Sequence, residues 1–265
     1  MTKLVYIGGY GHSGSTLLEY LLTASPDVIA CGEVASVVRQ HGRKGRCTCG
    51  RRIKRCPVWG PVFAASARLD GMTHESLTQA LMSQDGSEHA ILVDSSKTAW
   101  RALLSPFRLV RRLKHDFHLL HLVRDPRAVS WAAAKKAGRR GSQPRTPLRC
   151  ALAALGWSVA NLACELFGRR YPKHYLRISY EDLARSPDEV MGDLLAKLVP
   201  GSRWRPEELG RHHNRHQLYG NRMRSESLSL AKVKEDVAWM REMPRRHRRL
   251  VSAVTAPLRR RYGYT

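Results

Sequence analysis

A chain of 265 residues with 43% hydrophobic side chains can bury a substantial core, and one domain over residues 1–265 is the simplest expectation. Lys and Arg total 46 against 22 Asp and Glu, and the resulting +24 points to anionic partners: nucleic acid, acidic glycans, membrane surfaces or polyanionic cofactors. Six Cys in a chain of this length argue against a disulfide framework.

The first apolar run, "KLVYIGG", reads as a strand. It is broken by Gly8 and Gly9, too early for a secretory leader, so a cytoplasmic protein is expected. The loop "GYGHSGST" (Gly9–Thr16) follows, then a helix over Thr16–Ala24. Gly9 and Gly14 keep the G-x-x-x-x-G spacing of a phosphate loop, yet Ser15 stands where a nucleotide triphosphatase carries lysine. Such a turn aims backbone N–H groups and a positive helix end at one point. Without the lysine, much of the charge stabilisation needed for phosphoryl transfer is missing. A singly charged sulfuryl group beside a phosphate needs less.

A short strand "DVIAC" leads to Glu33 and a helix over Glu33–Gln40. Residues Gly42–Pro61 read as a loop with three thiols, Cys47-x-Cys49-x6-Cys56, and His41 nearby. Zinc through three thiolates and His41, a disulfide to Cys56 and a plain structural or acceptor-side loop all stay open, since the spacing is not that of a C-x2-C knuckle. A helix over Ser76–Ser83 precedes the strand "AILVD" and the segment "VDSSK". Asp94 is a second candidate acid there, on the pattern of a magnesium-holding strand, and Lys97 a candidate cation.

The strand "FHLLHLV" ends in "RDPRAV", where Arg124 can grip a phosphate bidentately and Pro126 starts a helix over Pro126–Ala137. Asp125 reads as a helix cap. Residues Lys135–Pro147 read as a basic loop, followed by a helix over Leu148–Phe167. Its stretch "CALAALGWSVANLACELF" is interrupted by Gly156, Ser158, Asn161 and Glu165, which favours a buried or amphipathic helix over a membrane span. A fifth strand, "HYLRISY", runs into "YEDL" at Tyr180. From Gly210 strand signals cease; "GNRMR" (Gly220–Arg224) reads as a loop and Leu230–Met243 as a helix. Strands alternating with helices, two of them near-continuous apolar runs, predict an α/β fold with a central parallel sheet flanked by helices.

The loop at Ser13–Thr16 resembles the 5′-phosphosulfate loop of sulfotransferases that use 3′-phosphoadenosine 5′-phosphosulfate. "RDPRAV", "YEDL" and "GNRMR" resemble later elements of the same family in the same order, and "SPDVIACGEVASV" is similar to its tyrosylprotein and bacterial carbohydrate branch. The resemblance implies a P-loop nucleotide-kinase-like fold and a sulfonucleotide donor, with adenosine 3′,5′-bisphosphate as product. It places Gly11, His12, Ser13, Gly14, Ser15 and Thr16 on the 5′ side, Arg124 on the 3′-phosphate, Tyr180 beside the nucleotide, Asn221 at the base and Arg222 and Arg224 at phosphate. Glu33 becomes the general base, its alternative being a helix cap; Lys97 stabilises charge and His12 assists. No metal enters the reaction, and the acceptor is a hydroxyl compound, a glycan or small molecule before others, with an acidic acceptor or an anionic membrane surface accounting for the excess charge. Two positions depart from the family pattern: Ala132 replaces a phosphate-binding serine, and Val34 replaces a second acid after Glu33. Two rivals stand beside this reading. A kinase-like phosphotransferase predicts magnesium-dependent triphosphate binding; a basic nucleic-acid-binding module would use "RRLK", "KKAGRRG" and "PRRHRR" but lacks a finger spacing or aromatic platform.

Overall fold

In the computed structural model the described residues are 2–40, 46–65, 71–84, 90–99, 102–114, 117–139, 146–209, 214–225 and 229–265. All five apolar runs form strands: β1 (Lys3–Gly8), β2 (Val28–Ala30), β3 (Ile91–Asp94), β4 (Phe117–Val123) and β5 (Tyr175–Ser179). They pair in parallel in the order β2-β3-β1-β4-β5. Alternation along each strand splits the core between the two faces. Leu4, Tyr6, Leu92, Phe117 and Leu119 point one way, and Val5, Ile7, Val93, Leu120 and Leu122 the other.

The helices are α1 (Ser15–Leu22), α2 (Val34–Arg39), α3 (Trp59–Ala65), α4 (His74–Met82), α5 (Ser105–Leu113), α6 (Pro126–Arg139), α7 (Pro147–Arg170), α8 (Tyr180–Arg185), α9 (Pro187–Leu198), α10 (Trp239–Glu242), α11 (Arg245–Val254) and α12 (Ala256–Arg261). Helices α1 and α9 cover the Val5 face, while α2 to α5 and part of α7 cover the Leu4 face. The chain leaves β1 toward β2 and β3 on one side and later crosses to β4 and β5 on the other. A crevice therefore opens at the carboxyl ends of the central strands, where parallel sheets hold ligands.

Helix α7 is longer than its sequence interruptions suggest. Its 24 residues begin at Pro147, with the Thr146 hydroxyl accepting from the Arg149 N–H at 3.4 Å. By length and hydropathy alone it is long and apolar enough to cross a membrane. It packs instead against β1, β4, β5, α6 and α11. Asn161, fully buried, meets His121 of β4 at 2.7 Å, a polar pairing suited to a core helix. Leu148, Leu152, Leu155, Leu162 and Leu166 remain exposed along its outer side.

Two expectations are corrected. Residues 138 and 139, read only as loop, extend α6, and residues 140–145 lie outside the described set. The helix expected over Leu230–Met243 is a 3-10 turn at Leu230–Lys232, an extended strap to Asp236 and the short α10. Glu235 and Asp236 bond across to Arg185, Arg124 and Tyr180, and those tertiary partners outweigh the helical pattern.

Candidate active site

Between β1 and α1 the backbone takes conformations that only some residues tolerate. Gly9 and Gly14 have φ of 115° and 97°. A Cβ on Gly9 would lie 2.5 Å from the Leu122 carbonyl oxygen, and one on Gly14 would lie 2.5 Å from Tyr180 Cδ2. The glycine spacing of the sequence is thus a packing requirement as well as a turn. Gly14 precedes α1 without a side-chain cap, leaving the first-turn N–H groups of an eight-residue helix to other acceptors. Ser13 is buried, and its Oγ has no hydrogen-bond partner among the described residues. A buried hydroxyl without a partner costs roughly 1–3 kcal/mol, which a bound anion would recover.

The loop forms one wall of an open cleft of about 520 Å³. Gly11, His12, Gly14, Ser15 and Thr16 line it from the loop and α1, Glu33 from the start of α2, Lys97 from the turn after β3, and Arg124 from the end of β4. Tyr180, at the start of α8, and Asn221 complete the group. Each sits just past a strand's carboxyl end except Asn221, so the topology gathers residues scattered over most of the chain. Ser13 lies behind the lining. Arg224 is not brought into the cleft: its guanidinium donates to the Gly220 carbonyl at 3.2 Å. The side chain of Arg222 and all of His41 lie outside the described residues.

Glu33 precedes α2 but does not cap it with its side chain. Its Oε1 instead accepts from Lys97 Nζ and its Oε2 from Ser36 Oγ at 2.9 Å. Burial alone would raise the Glu33 pKa, but the charge and hydrogen bond of Lys97, with Ser36 and Arg39, hold it below the usual carboxylate value. Asp94 does what a cap would do. Its Oδ1 accepts from the N–H groups of Val34 (3.3 Å) and Ser96 (2.8 Å), and its Oδ2 meets His74 at 2.6 Å. Fully buried and committed to these groups, Asp94 does not line the cleft.

Burial, reinforced by the charges of Lys136, Lys97 and Arg124, pushes the His12 pKa down to about 4. The imidazole is neutral at pH 7, which leaves Lys97 as the cation beside Glu33.

Arg124 lines the cleft beside the loop, stacked 4.1 Å over the Tyr180 ring. It donates to the His12 carbonyl (3.1 Å), the Asp236 carbonyl (3.0 Å) and the Asp236 carboxylate (3.1 Å). Its Nε has no partner among the described residues. A guanidinium partly paired to an exposed carboxylate can exchange it for a phosphate, whose oxygens suit the same fork.

Several cleft residues escaped the sequence reading. Lys136 follows Ala132 by one helical turn, and both line the cleft; the 3.6-residue period was the available signal. Ser130 is buried away from it. Lys232, Lys234 and Asp236 enter from the strap, where no sequence motif marked them. Glu19, also missed, is buried in α1 and accepts from Gly32 N–H at 2.6 Å and Ser95 Oγ at 2.8 Å, holding the turn before Glu33. Burial raises its pKa to about 7 against the pull of those hydrogen bonds.

Fold and cleft together define an α/β protein whose cleft is lined by the start of a helix, with the Arg124 guanidinium beside the same loop. The sulfotransferase family profile matches residues 5–206, and the chain belongs to that family. Its chemistry is sulfuryl transfer. No curated protein matches the chain. Among solved structures, the sulfotransferase domain from the curacin biosynthetic pathway superposes with TM-score 0.56 at 18% identity, covering 96% of this chain and 97% of that one. A sulfotransferase from Alicyclobacillus acidocaldarius gives TM-score 0.52 at 15% identity over 97% and 92%. At such identities these structures support the fold, and function has to be argued from the site.

Proposed function

We propose that the chain moves a sulfuryl group from 3′-phosphoadenosine 5′-phosphosulfate to an acceptor hydroxyl, leaving adenosine 3′,5′-bisphosphate. The observation that carries this reading is that one cleft is lined both by a lysine-free phosphate loop and by Arg124, which is held beside that loop through the His12 carbonyl. The loop, with the α1 N–H groups and the hydroxyls of Ser13, Ser15 and Thr16, holds the 5′ side. Arg124 takes the ribose 3′-phosphate, with Lys136 supplying charge near Ala132, where the family serine is missing. Tyr180 backs Arg124, and Asn221 meets the nucleotide from the opposite rim.

The acceptor oxygen forms a bond to sulfur while the bond from sulfur to the bridging oxygen breaks, and the acceptor's proton passes to Glu33. Lys97 is paired with Glu33. When Lys97 turns to the bridging oxygen, Glu33 loses the charge that depressed its pKa and becomes the stronger base. Lys97 then faces the charge that grows on the leaving group. This transfer draws its positive charge from side chains and needs no metal. One sheet positions every strand-end contributor, which supports treating residues 1–265 as one sulfotransferase domain acting on a glycan or small-molecule hydroxyl.

A kinase reading would need a loop lysine and a free strand-end acid, but Ser15 replaces the first and Asp94 is buried in hydrogen bonds. Calorimetry separates the two. The bisphosphate is expected to bind without metal and ATP with magnesium to bind far more weakly; the reverse order would overturn the proposal.

A further inference from the structure

We propose that Cys47, Cys49, Cys56 and His216 form a structural zinc site that fastens the three-cysteine loop to the segment carrying Asn221. This inference stands apart from the donor and base assignments. In sequence the three thiols lack a fourth ligand at a known spacing, and the fold supplies one from 160 residues beyond Cys56.

The four ligand atoms all lie within 4.8 Å of one another. Cys47 and Cys56 sulfurs are 3.6 Å apart, and His216 Nδ1 is 3.8 Å from the first and 3.2 Å from the second. A tetrahedron with Zn–S near 2.3 Å and Zn–N near 2.0–2.1 Å has edges of about 3.8 Å between sulfurs and about 3.6 Å from sulfur to nitrogen. The three edges among Cys47, Cys56 and His216 scatter around those values, and Cys49 Sγ lies within 4.8 Å of the other three ligand atoms. Three thiols and one imidazole are a donor set that selects zinc among common divalent ions.

The loop has the shape such a site requires. Gly50, with φ of 82°, lets the chain reverse after Cys49, and its N–H donates to the Cys47 carbonyl at 2.9 Å. The Trp59 N–H points at Cys56 Sγ at 3.5 Å, a bond that supports a thiolate. Three thiolates and one zinc ion leave a net charge of −1. Arg46, Arg51, Arg52, Lys54 and Arg55 flank the cysteines and offset it.

The consequence reaches the cleft. The chain around His216 has little regular structure of its own, only an isolated bridge between Arg215 and Ala30. Thr48 Oγ1 donates to the Arg215 carbonyl at 2.7 Å and accepts from the Gln217 N–H at 2.9 Å, so loop and segment move as one. Three residues past His216, the Tyr219 carbonyl accepts from the Glu33 N–H at 3.2 Å, and Gly220 and Asn221 line the cleft. Zinc would hold the backbone on which Glu33 rests.

Metal analysis of the full-length chain, purified under reducing conditions, tests this without an activity assay. About one zinc per chain is expected, released in step with mercurial modification of the thiols. Cobalt should replace it with the intense visible bands of a tetrahedral thiolate complex. Cys56→Ser and His216→Gln should each weaken zinc binding at least as much as the ~10–100-fold typical of losing an outer-shell partner. Cys150→Ser, at a buried thiol elsewhere, should keep it. A wild-type chain that holds neither zinc nor cobalt overturns the proposal, and so does a Cys47–Cys56 disulfide found by mass spectrometry. The wild-type measurements decide the matter even where a variant fails to fold.

Discussion

The two walls of the cleft hold their shape in opposite ways. The loop from Gly9 to Gly14 is wedged between Leu122 and Tyr180, so close that a single added carbon would collide with either. The strap from Ser229 to Asp236 has one 3-10 turn and is anchored to side chains of other elements, with ion pairs from Glu235 to Arg185 at 2.7 Å and from Asp236 to Arg124 at 3.1 Å. A wall made of backbone is preorganised for an anion. One made of ion pairs can exchange its partners when a stronger anion arrives; in the proposed donor pose this puts adaptability on the ribose side and rigidity on the sulfuryl side.

The chemistry of the rigid side is broken most severely at Glu33. Glu33→Gln is expected to lower kcat by about 10²–10⁴-fold while sparing bisphosphate affinity, read by steady-state kinetics beside calorimetry. Unchanged turnover would remove Glu33 as the base. On the adaptable side, Arg124→Lys keeps the charge but loses the fork. Bisphosphate binding should weaken by about 10- to 100-fold, the equivalent of one charge-assisted hydrogen bond.

Gly14→Ala probes the wedge itself. The methyl group must displace Tyr180, on which Arg124 stacks, and the left-handed φ adds strain. Stability should fall by more than about 1 kcal/mol in thermal unfolding, and an unchanged midpoint would show that the loop is not held as described. The smallest effect is expected at Asp236→Asn. Removing a carboxylate that competes with phosphate for Arg124 should tighten bisphosphate binding several-fold, since like charge beside the ligand is lost while a hydrogen-bonding amide remains. Weaker binding would mean that Asp236 supports Arg124 rather than competing for it.

Titration sharpens the contrast further. Glu19, under the rigid wall, has a folded pKa of about 7 against an ordinary 4.5. An acid raised in this way lends stability that is full below the unfolded value and is lost as pH rises through the folded one. Between pH 5 and pH 8, Glu19→Gln should therefore lose less stability than the parent chain, measured by denaturant unfolding at each pH. An identical pH slope in both would sink the assignment.

Much of the cleft is legible in the sequence. All five strands, the glycine spacing, Ser13 to Thr16, Glu33, Lys97 and Arg124 sit in local patterns, because strand, turn and helix start are each specified within a few residues. Reading Leu230–Met243 as a helix failed because that stretch satisfies its charges on Arg124 and Arg185 rather than along its own axis. The GNRMR stretch offered Arg222 or Arg224 as a further phosphate contact, yet the Arg224 guanidinium turns back to Gly220. Asp94 and Glu33 were both plausible acids, and only burial and partners separated the capping carboxylate from the cleft one.

By itself the sequence determined the parallel α/β architecture and the lysine-free glycine loop, since periodicity and turn chemistry act over short spans. Only the tertiary structure decided which charges meet: Glu33 with Lys97, Arg124 with Asp236, and three loop cysteines with His216. Electrostatic and metal-ligand contacts depend on distances of a few ångströms between residues tens to hundreds of positions apart, and those distances exist only once the sheet has closed the chain upon itself.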